Sequence, residues 1–194
     1  MTAAIILAAG GSSRLGFPKQ TLLYKGKTLL ELSIEAGLKS KCDPVVVVLG
    51  ANADAIEAGI KDNNITIIHN PNWPEGMASS IKVAIEYINK IEVIDSAVMM
   101  LCDQPFVNRG LIDNLLYKQQ QTRNAIVACA YKDTVGVPVL FKRSLFTELL
   151  SLHGQEGAKK VLNSHLDQIA VIPFEKGGID IDTIADYEDL LKNS

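Results

Sequence analysis

Five consecutive apolar residues, Val45 to Leu49, run without any polar alternation and stop at Gly50. A strand with one wet face alternates apolar and polar side chains, so an unbroken β-branched run marks a strand covered on both faces, as in parallel sheets flanked by helices. Ala3 to Leu7, Ala97 to Leu101 and Ile126 to Ala130 repeat the pattern, and Ile65 to Ile68 is a shorter version. Between these runs lie segments of helical spacing. Leu30, Ile34 and Leu38 define one over residues 28–39, with Thr28 and Glu31 in capping-box positions. Ile81, Ala84, Ile85 and Ile88 define another over 77–89, and Ile112, Leu115 and Leu116 a third over 109–121. Asn52 is placed to cap a further helix over 53–60. Interleaving of this kind predicts an α/β fold, doubly wound around a mostly parallel sheet with right-handed crossovers.

From about residue 132 the pattern changes. Gly136 to Phe141 and Ile169 to Ile172 read as short strands, with helices over 143–152, 157–164 and 186–192. This predicts an antiparallel edge in the C-terminal part, covering the mouth of the sheet. A chain of 194 residues, 47% hydrophobic, is expected to form a single domain, with the change of pattern dividing it into residues 1–131 and 132–194. The net charge of −3, without long runs of one sign, argues against a general affinity for nucleic acid. Cys42, Cys102 and Cys129 are odd in number and widely spaced, unlike a disulfide framework or zinc site, and read as buried thiols in a reducing compartment. No stretch has the form of a signal peptide or membrane span, so the expected location is cytoplasmic, away from membranes.

The chemistry concentrates in LAAGGSSRLGFPKQ, Leu7 to Gln20, directly after the first strand. Gly10, Gly11, Ser12 and Ser13 let a backbone turn tightly and aim N–H groups at an anion, while Arg14 and Lys19 supply positive charge. Two familiar phosphate motifs do not fit. Phe17 and Pro18 stand where a nucleoside-triphosphatase loop needs Lys and Ser/Thr, and Ser12 stands where a dinucleotide fingerprint needs its second glycine. Pro18 disfavours helical geometry at Phe17, so the loop is expected to stay extended through Lys19, long enough to wrap a triphosphate.

Asp103, in Cys102-Asp103-Gln104-Pro105, stands just past a buried strand, where open α/β sheets hold ligands, and suits a divalent cation. In Asp180-Ile181-Asp182 the carboxylates share a face if the segment is extended; the same residues also read as a cap for the last helix. Ser79 and Ser80 lie in the first turn of the 77–89 helix, where hydroxyls and free N–H groups can face a ligand. Gly157 to Lys160 opens a helix with two lysines, suited either to a second phosphate or to a solvated end. Trp73 reads first as a packing residue, with a stacking role open. His69, His153 and His165 show no metal-ligand spacing.

The segments LAAGGSSRLGFPK, NPNWPEGMASSI, LCDQP, GVPVLF, EGAKKVL and DIDT occur in this order in molybdenum cofactor cytidylyltransferase-like nucleotidyltransferases, and the chain resembles that family over nearly its whole length. The resemblance implies one Rossmann-like domain, of the nucleotide-diphospho-sugar transferase type, with a nucleotide-binding half (1–131) and an acceptor-binding, closing half (132–194), that transfers CMP from CTP to the terminal phosphate of molybdopterin and releases pyrophosphate with Mg²⁺. It implies that Leu7, Ala8, Ala9, Gly10, Gly11, Ser12, Ser13, Arg14 and Lys19 hold the nucleotide together with Gly76, Ser79 and Ser80. Arg14, Lys19 and Asp103 become the catalytic set, Asp103 and Asp180 the metal ligands, and Pro138, Gly157, Lys159 and Asp182 acceptor contacts. A molybdenum hydroxylase is the implied recipient of the product. Ala8-Ala9-Gly10 resembles the cytidylyl branch, whereas guanylyltransferases usually read LAGG. Other phosphorylated acceptors such as sugar or polyol phosphates, a GTP-using guanylyltransferase, and a non-catalytic nucleotide- or cofactor-binding chaperone remain alternatives. A phosphate acceptor is already ionised near neutral pH, so the absence of a Ser-His-Asp or Cys-His set agrees with this chemistry.

Overall fold

The structure is a computed structural model that describes residues 1–192. Nine strands and seven helices follow one another as β1 (Thr2–Ala8), β2 (Leu23–Tyr24), β3 (Lys27–Thr28), α1 (Leu29–Lys39), β4 (Val45–Leu49), α2 (Ala53–Glu57), β5 (Thr66–His69), α3 (Met77–Asn89), β6 (Ser96–Leu101), α4 (Arg109–Thr122), β7 (Ile126–Tyr131), β8 (Thr134–Lys142), α5 (Phe146–Leu150), α6 (Ala158–Ser164), β9 (Ile169–Pro173) and α7 (Ile184–Lys192), a count among the described residues. Seven of the strands form one sheet in the order β5-β4-β1-β6-β8-β7-β9, and β2 and β3 form a separate hairpin.

β1 pairs in parallel with β4 and β6 on its two sides, and β7 in parallel with β9. Only β8 runs the other way, paired antiparallel to β6 and to β7. The antiparallel element is therefore present, but it lies inside the sheet, and the edge strand β9 is parallel to its neighbour. β8 can take this place because Val139, Leu140 and Phe141 are apolar toward both faces, as an interior strand requires.

Alternation along each strand divides the core in two. Ile5 and Leu7 of β1, Val46 and Val48 of β4 and Met99 of β6 pack under α3, α5 and α6. Ala4 and Ile6, Val45 and Val47, and Val98 and Met100 pack under α1 and α4. A third, smaller cluster joins Leu15, Leu22, Tyr24 and Leu29 to Ile181 and Leu190, and so ties the segment after β1 to the C-terminal helix α7.

Thr28 and Glu31 form the expected capping box at the start of α1. Asn52 does not cap: its backbone is left-handed (φ 57), its side chain makes no capping bond, and α2 ends at Glu57 rather than at residue 60. The chain steps outward from β1 to β4 and β5, then returns to β6 on the other side of β1. That reversal opens a crevice at the carboxyl ends of β1 and β6, the usual ligand position in such sheets.

Candidate active site

Residues 9–18, after β1, and 102–105, after β6, frame this crevice. The loop after β1 is not extended throughout. Ser12 is left-handed (φ 50) and its carbonyl accepts from Leu15 N (3.0 Å) and Gly16 N (3.2 Å), closing a turn, and Lys19–Thr21 form a 3-10 turn. Burial of Leu15 in the third cluster pulls the chain inward there, and Gly16 (φ 78) permits the reversal. The Ser12 hydroxyl accepts from Lys19 N at 3.0 Å, which fixes the distance across the loop. Gly11, Ser12, Ser13 and Arg14 donate their backbone N–H groups to nothing among the described residues, leaving donors available for an anion.

A cavity of about 360 Å³ lies against this loop. Leu7 to Gly11, Ser13, Lys19 and Gln20 line one side, Trp73, Pro74, Gly76, Met77, Ser80 and Gln155 the other, and Leu101 to Asp103 complete it. Trp73 is thus both a packing residue and part of the wall: a Cβ on Gly50 would sit 2.6 Å from the Trp73 Cβ and 2.7 Å from the Ala9 carbonyl, so the approach needs glycine. A wider groove of about 710 Å³ runs along α1 with an apolar floor and a rim of mixed charge. It contains none of the unpartnered buried polar atoms, two of which belong to residues of the smaller cavity.

The charged residues form a chain. Arg14 Nη2 pairs with Asp182 Oδ2 at 2.8 Å, Lys19 Nζ pairs with Asp182 Oδ1 at 2.9 Å, and Lys19 also pairs with Asp103 Oδ2. Burial alone would lower the Lys19 pKa, but the Asp103 charge, followed by hydrogen bonds to Asp103 and Asp182, raises it above the ordinary lysine value. For Asp182 partial burial opposes ionisation, and Lys19 and then Arg14 outweigh it, holding the carboxyl below its usual range. For Asp180 desolvation and then the Asp103 charge raise the pKa. Asp180 lines a separate cavity of about 280 Å³ with Phe106, Ile179, Asp186 and Leu190, so Asp182, not Asp180, meets the two cations.

Asp103 is 7% exposed, and its Oδ1 has no hydrogen-bond partner. An unpartnered acceptor-only oxygen beside a loop of unengaged N–H groups, with a second carboxylate close enough to feel its charge, fits a divalent cation. Among the described residues no group of three or more His, Cys, Asp or Glu is gathered for a metal.

Other expected contacts are placed differently. Ser80 reaches the cavity, whereas the Ser79 hydroxyl donates to the Gly76 carbonyl at 2.8 Å. Pro138 is buried within β8, outside the cavity lining. Gly157 lies one layer behind, against Met77, and Lys159 is exposed at the start of α6 without an ion pair among the described residues.

Three buried amides escaped the sequence reading. Asn70 donates to Ser79 and Ser80 at 2.8 and 2.9 Å, fixing the start of α3. Gln104 donates to the Gly177 carbonyl at 2.9 Å and, at 3.3 Å, to that of Val137, tying the acidic segment to the end of β6. Gln20 donates to the Ala8 and Gly10 carbonyls at 2.7 and 3.0 Å.

The model of the MobA-like NTP transferase domain matches residues 4–169. The chain belongs to this family. It is a nucleotidyltransferase, and nucleotidyltransferases of this family commonly use divalent metals. Over 96% of this chain and 95% of the relative, it is 31% identical to the nicotine blue oxidoreductase of Paenarthrobacter nicotinovorans. An 82-residue stretch, 42% of each chain, is 39% identical to the molybdenum cofactor cytidylyltransferase of Escherichia coli strain K12. The structure of Rv0371c from Mycobacterium tuberculosis H37Rv in complex with manganese is similar over 100% of this chain and 99% of that one, with a TM-score of 0.84 and 28% identity. No helix among the described residues is long and apolar enough to cross a membrane.

Proposed function

We propose that this cytoplasmic enzyme transfers CMP from CTP to the terminal phosphate of a molybdopterin-type acceptor, with Mg²⁺, for delivery to a molybdenum hydroxylase. The observation that carries the reading is the juxtaposition of the Arg14–Asp182–Lys19–Asp103 chain with a loop of unengaged N–H groups at the topological switch point. In the reaction an oxygen of the acceptor phosphate forms a bond to the α-phosphorus of CTP, and the bond from that phosphorus to the bridging oxygen of the β-phosphate breaks, so pyrophosphate leaves with the electron pair. No proton has to be removed from the attacking oxygen. The bound cation would neutralise charge on the phosphates, held by Asp103 with Asp180 as the second ligand.

Arg14, Lys19 and the N–H groups of Gly11 to Ser13 bind the triphosphate and stabilise the charge that shifts to the leaving oxygens. Ser80, Gly76 and Trp73 bound the nucleoside end. Ala8-Ala9-Gly10 and the stretch shared with the cytidylyltransferase support CTP. Pyrophosphate release tests the reading, with CTP, GTP and ATP in parallel, each with Mg²⁺ and molybdenum-loaded molybdopterin. Release with CTP alone is expected; release only with GTP, or none with a sugar or polyol phosphate required instead, overturns it.

The full-length relative named as an oxidoreductase favours a second reading, in which the cavity takes a redox nucleotide. Against it, the loop has Ser12 where a dinucleotide fingerprint needs glycine. Oxidation of NADH or NADPH by the purified protein with a dye as electron acceptor would favour that reading.

A further inference from the structure

Gln20 is 1% exposed and lines the cavity, yet its Oε1 has no hydrogen-bond partner. The orientation of its amide follows from chemistry. Nε2 lies 2.7 Å from the Ala8 oxygen and 3.0 Å from the Gly10 oxygen, and turning the amide over would set its oxygen against two carbonyl oxygens. Both amide hydrogens are therefore committed to the backbone of the loop, and Oε1 is held in place as an acceptor that the protein itself does not satisfy. Native structures seldom retain a buried acceptor in that condition unless a ligand or water meets it.

We propose that Gln20 Oε1 is a nucleoside contact that accepts a hydrogen bond from the bound nucleotide and thereby sets specificity. The inference rests on the proposed placement of a nucleotide in this cavity. Phosphate cannot be the partner, because an ionised phosphate offers only acceptor oxygens and would be repelled. The donors of a cytidine nucleotide are the 4-amino group of the base and the ribose hydroxyls. If the amino group is the partner, uridine is rejected, since it presents a carbonyl oxygen to an acceptor; if a hydroxyl is the partner, the deoxynucleotide is rejected. Gln20 thus has two tasks, one on each branch of its amide. Nε2 shapes the loop, and Oε1 reads the ligand.

The test is a set of affinities measured by calorimetry for CTP, UTP, 2′-deoxy-CTP and 3′-deoxy-CTP, with the wild-type chain, Gln20→Met and Gln20→Lys. Met removes the donors and the acceptor together. Lys keeps donors toward the Ala8 and Gly10 carbonyls and removes the acceptor, so it answers the question even where the Met variant fails to fold. Wild-type protein is expected to favour CTP over one analogue by about tenfold or more, and that ratio should fall to near one in Gln20→Lys. Taking ratios cancels any general gain from the added positive charge. Loss of discrimination against UTP identifies the base as the donor, and against a deoxynucleotide the sugar. Wild-type affinities equal within twofold for all four nucleotides, or a wild-type ratio retained in Gln20→Lys, overturn the contact while leaving the proposed function standing. A wild-type chain that binds no nucleotide overturns both.

Discussion

Replacing Lys19 by Met removes the one cation that, among the described residues, touches both Asp103 and Asp182, and its cost can be worked from the geometry. The Lys19 and Asp103 side chains are 16% and 10% exposed, so the pair is largely buried. Breaking a buried pair from one side costs about 3–5 kcal/mol, because the other charge is left uncompensated. Asp182 keeps Arg14 at 2.8 Å, so only Asp103 is stranded and the low end, about 3 kcal/mol, applies. For a chain of this size about 2–4 °C of Tm accompanies each kcal/mol, which gives a loss of about 6–12 °C in thermal unfolding at pH 7.

The sign of the pH dependence follows from the two shifts. Lys19 has a folded pKa above its unfolded value of 10.5, so its contribution is full below 10.5 and is lost as pH rises through the folded value. Asp182 has a folded pKa below its unfolded value of 3.8, so its contribution is present above 3.8 and is lost as pH falls through the folded value. The gap between wild type and Lys19→Met should therefore close as pH rises through the folded Lys19 value, and narrow as pH falls through the folded Asp182 value by the part of that shift that Lys19 supplies. Adding Asp103→Asn to Lys19→Met should recover most of the loss, since the uncompensated charge is gone. Equal melting temperatures for wild type and Lys19→Met at pH 7, or a double variant no more stable than the single one, would refute the reasoning.

Asp103→Ala should remove most pyrophosphate release while circular dichroism stays that of the wild type; near-normal turnover would exclude Asp103 as a metal ligand. Arg14→Ala should lower kcat/KM by an amount equivalent to about 2–4 kcal/mol, read in steady-state kinetics, and a rise in KM alone would make its role binding only. Gly50→Ala forces a methyl to 2.6 Å from the Trp73 Cβ and should destabilise by about 1–3 kcal/mol, with a shift in Trp73 emission reporting movement of the cavity wall. Thr28→Ala, which breaks the capping box of α1, should cost about 1 kcal/mol in urea unfolding and leave nucleotide affinity unchanged.

What the sequence disclosed depended on how local the cause was. The Thr28 and Glu31 cap is settled within four residues, and Val45 to Leu49 needs only its own composition to be read as a strand covered on both faces. The position of Asp103 at the mouth of the crevice was legible because it directly follows a buried apolar run. The position of β8 was not, because an apolar strand carries no mark of which neighbours it will pair with. Gln20, Asn70 and Gln104 were illegible for a related reason: an amide looks like a surface residue until its partners are known. Gln104 finds one of them 73 positions away. Asp180 and Asp182 showed a shared spacing but not a division of labour, which arises when Ile181, fully buried in the third cluster, anchors the segment and Asp182 alone meets Arg14 and Lys19.

That division bears on how the charges of the site balance. Two cations and two carboxylates, Arg14, Lys19, Asp103 and Asp182, offset one another's charge, so no strongly uncompensated charge is held in a partly buried crevice. Under the proposed reaction, a triphosphate arriving with its cation brings both missing partners at once: phosphate oxygens for Arg14 and Lys19, and positive charge for the carboxylates. The exchange then keeps the charges balanced before and after binding, whereas a triphosphate without a cation would strand the carboxylates. Nucleotide affinity should accordingly depend steeply on divalent cation in the wild type and much less in Asp103→Asn/Asp182→Asn, measured by calorimetry with and without Mg²⁺. An equal dependence in the two proteins would mean that the cation acts on the nucleotide alone.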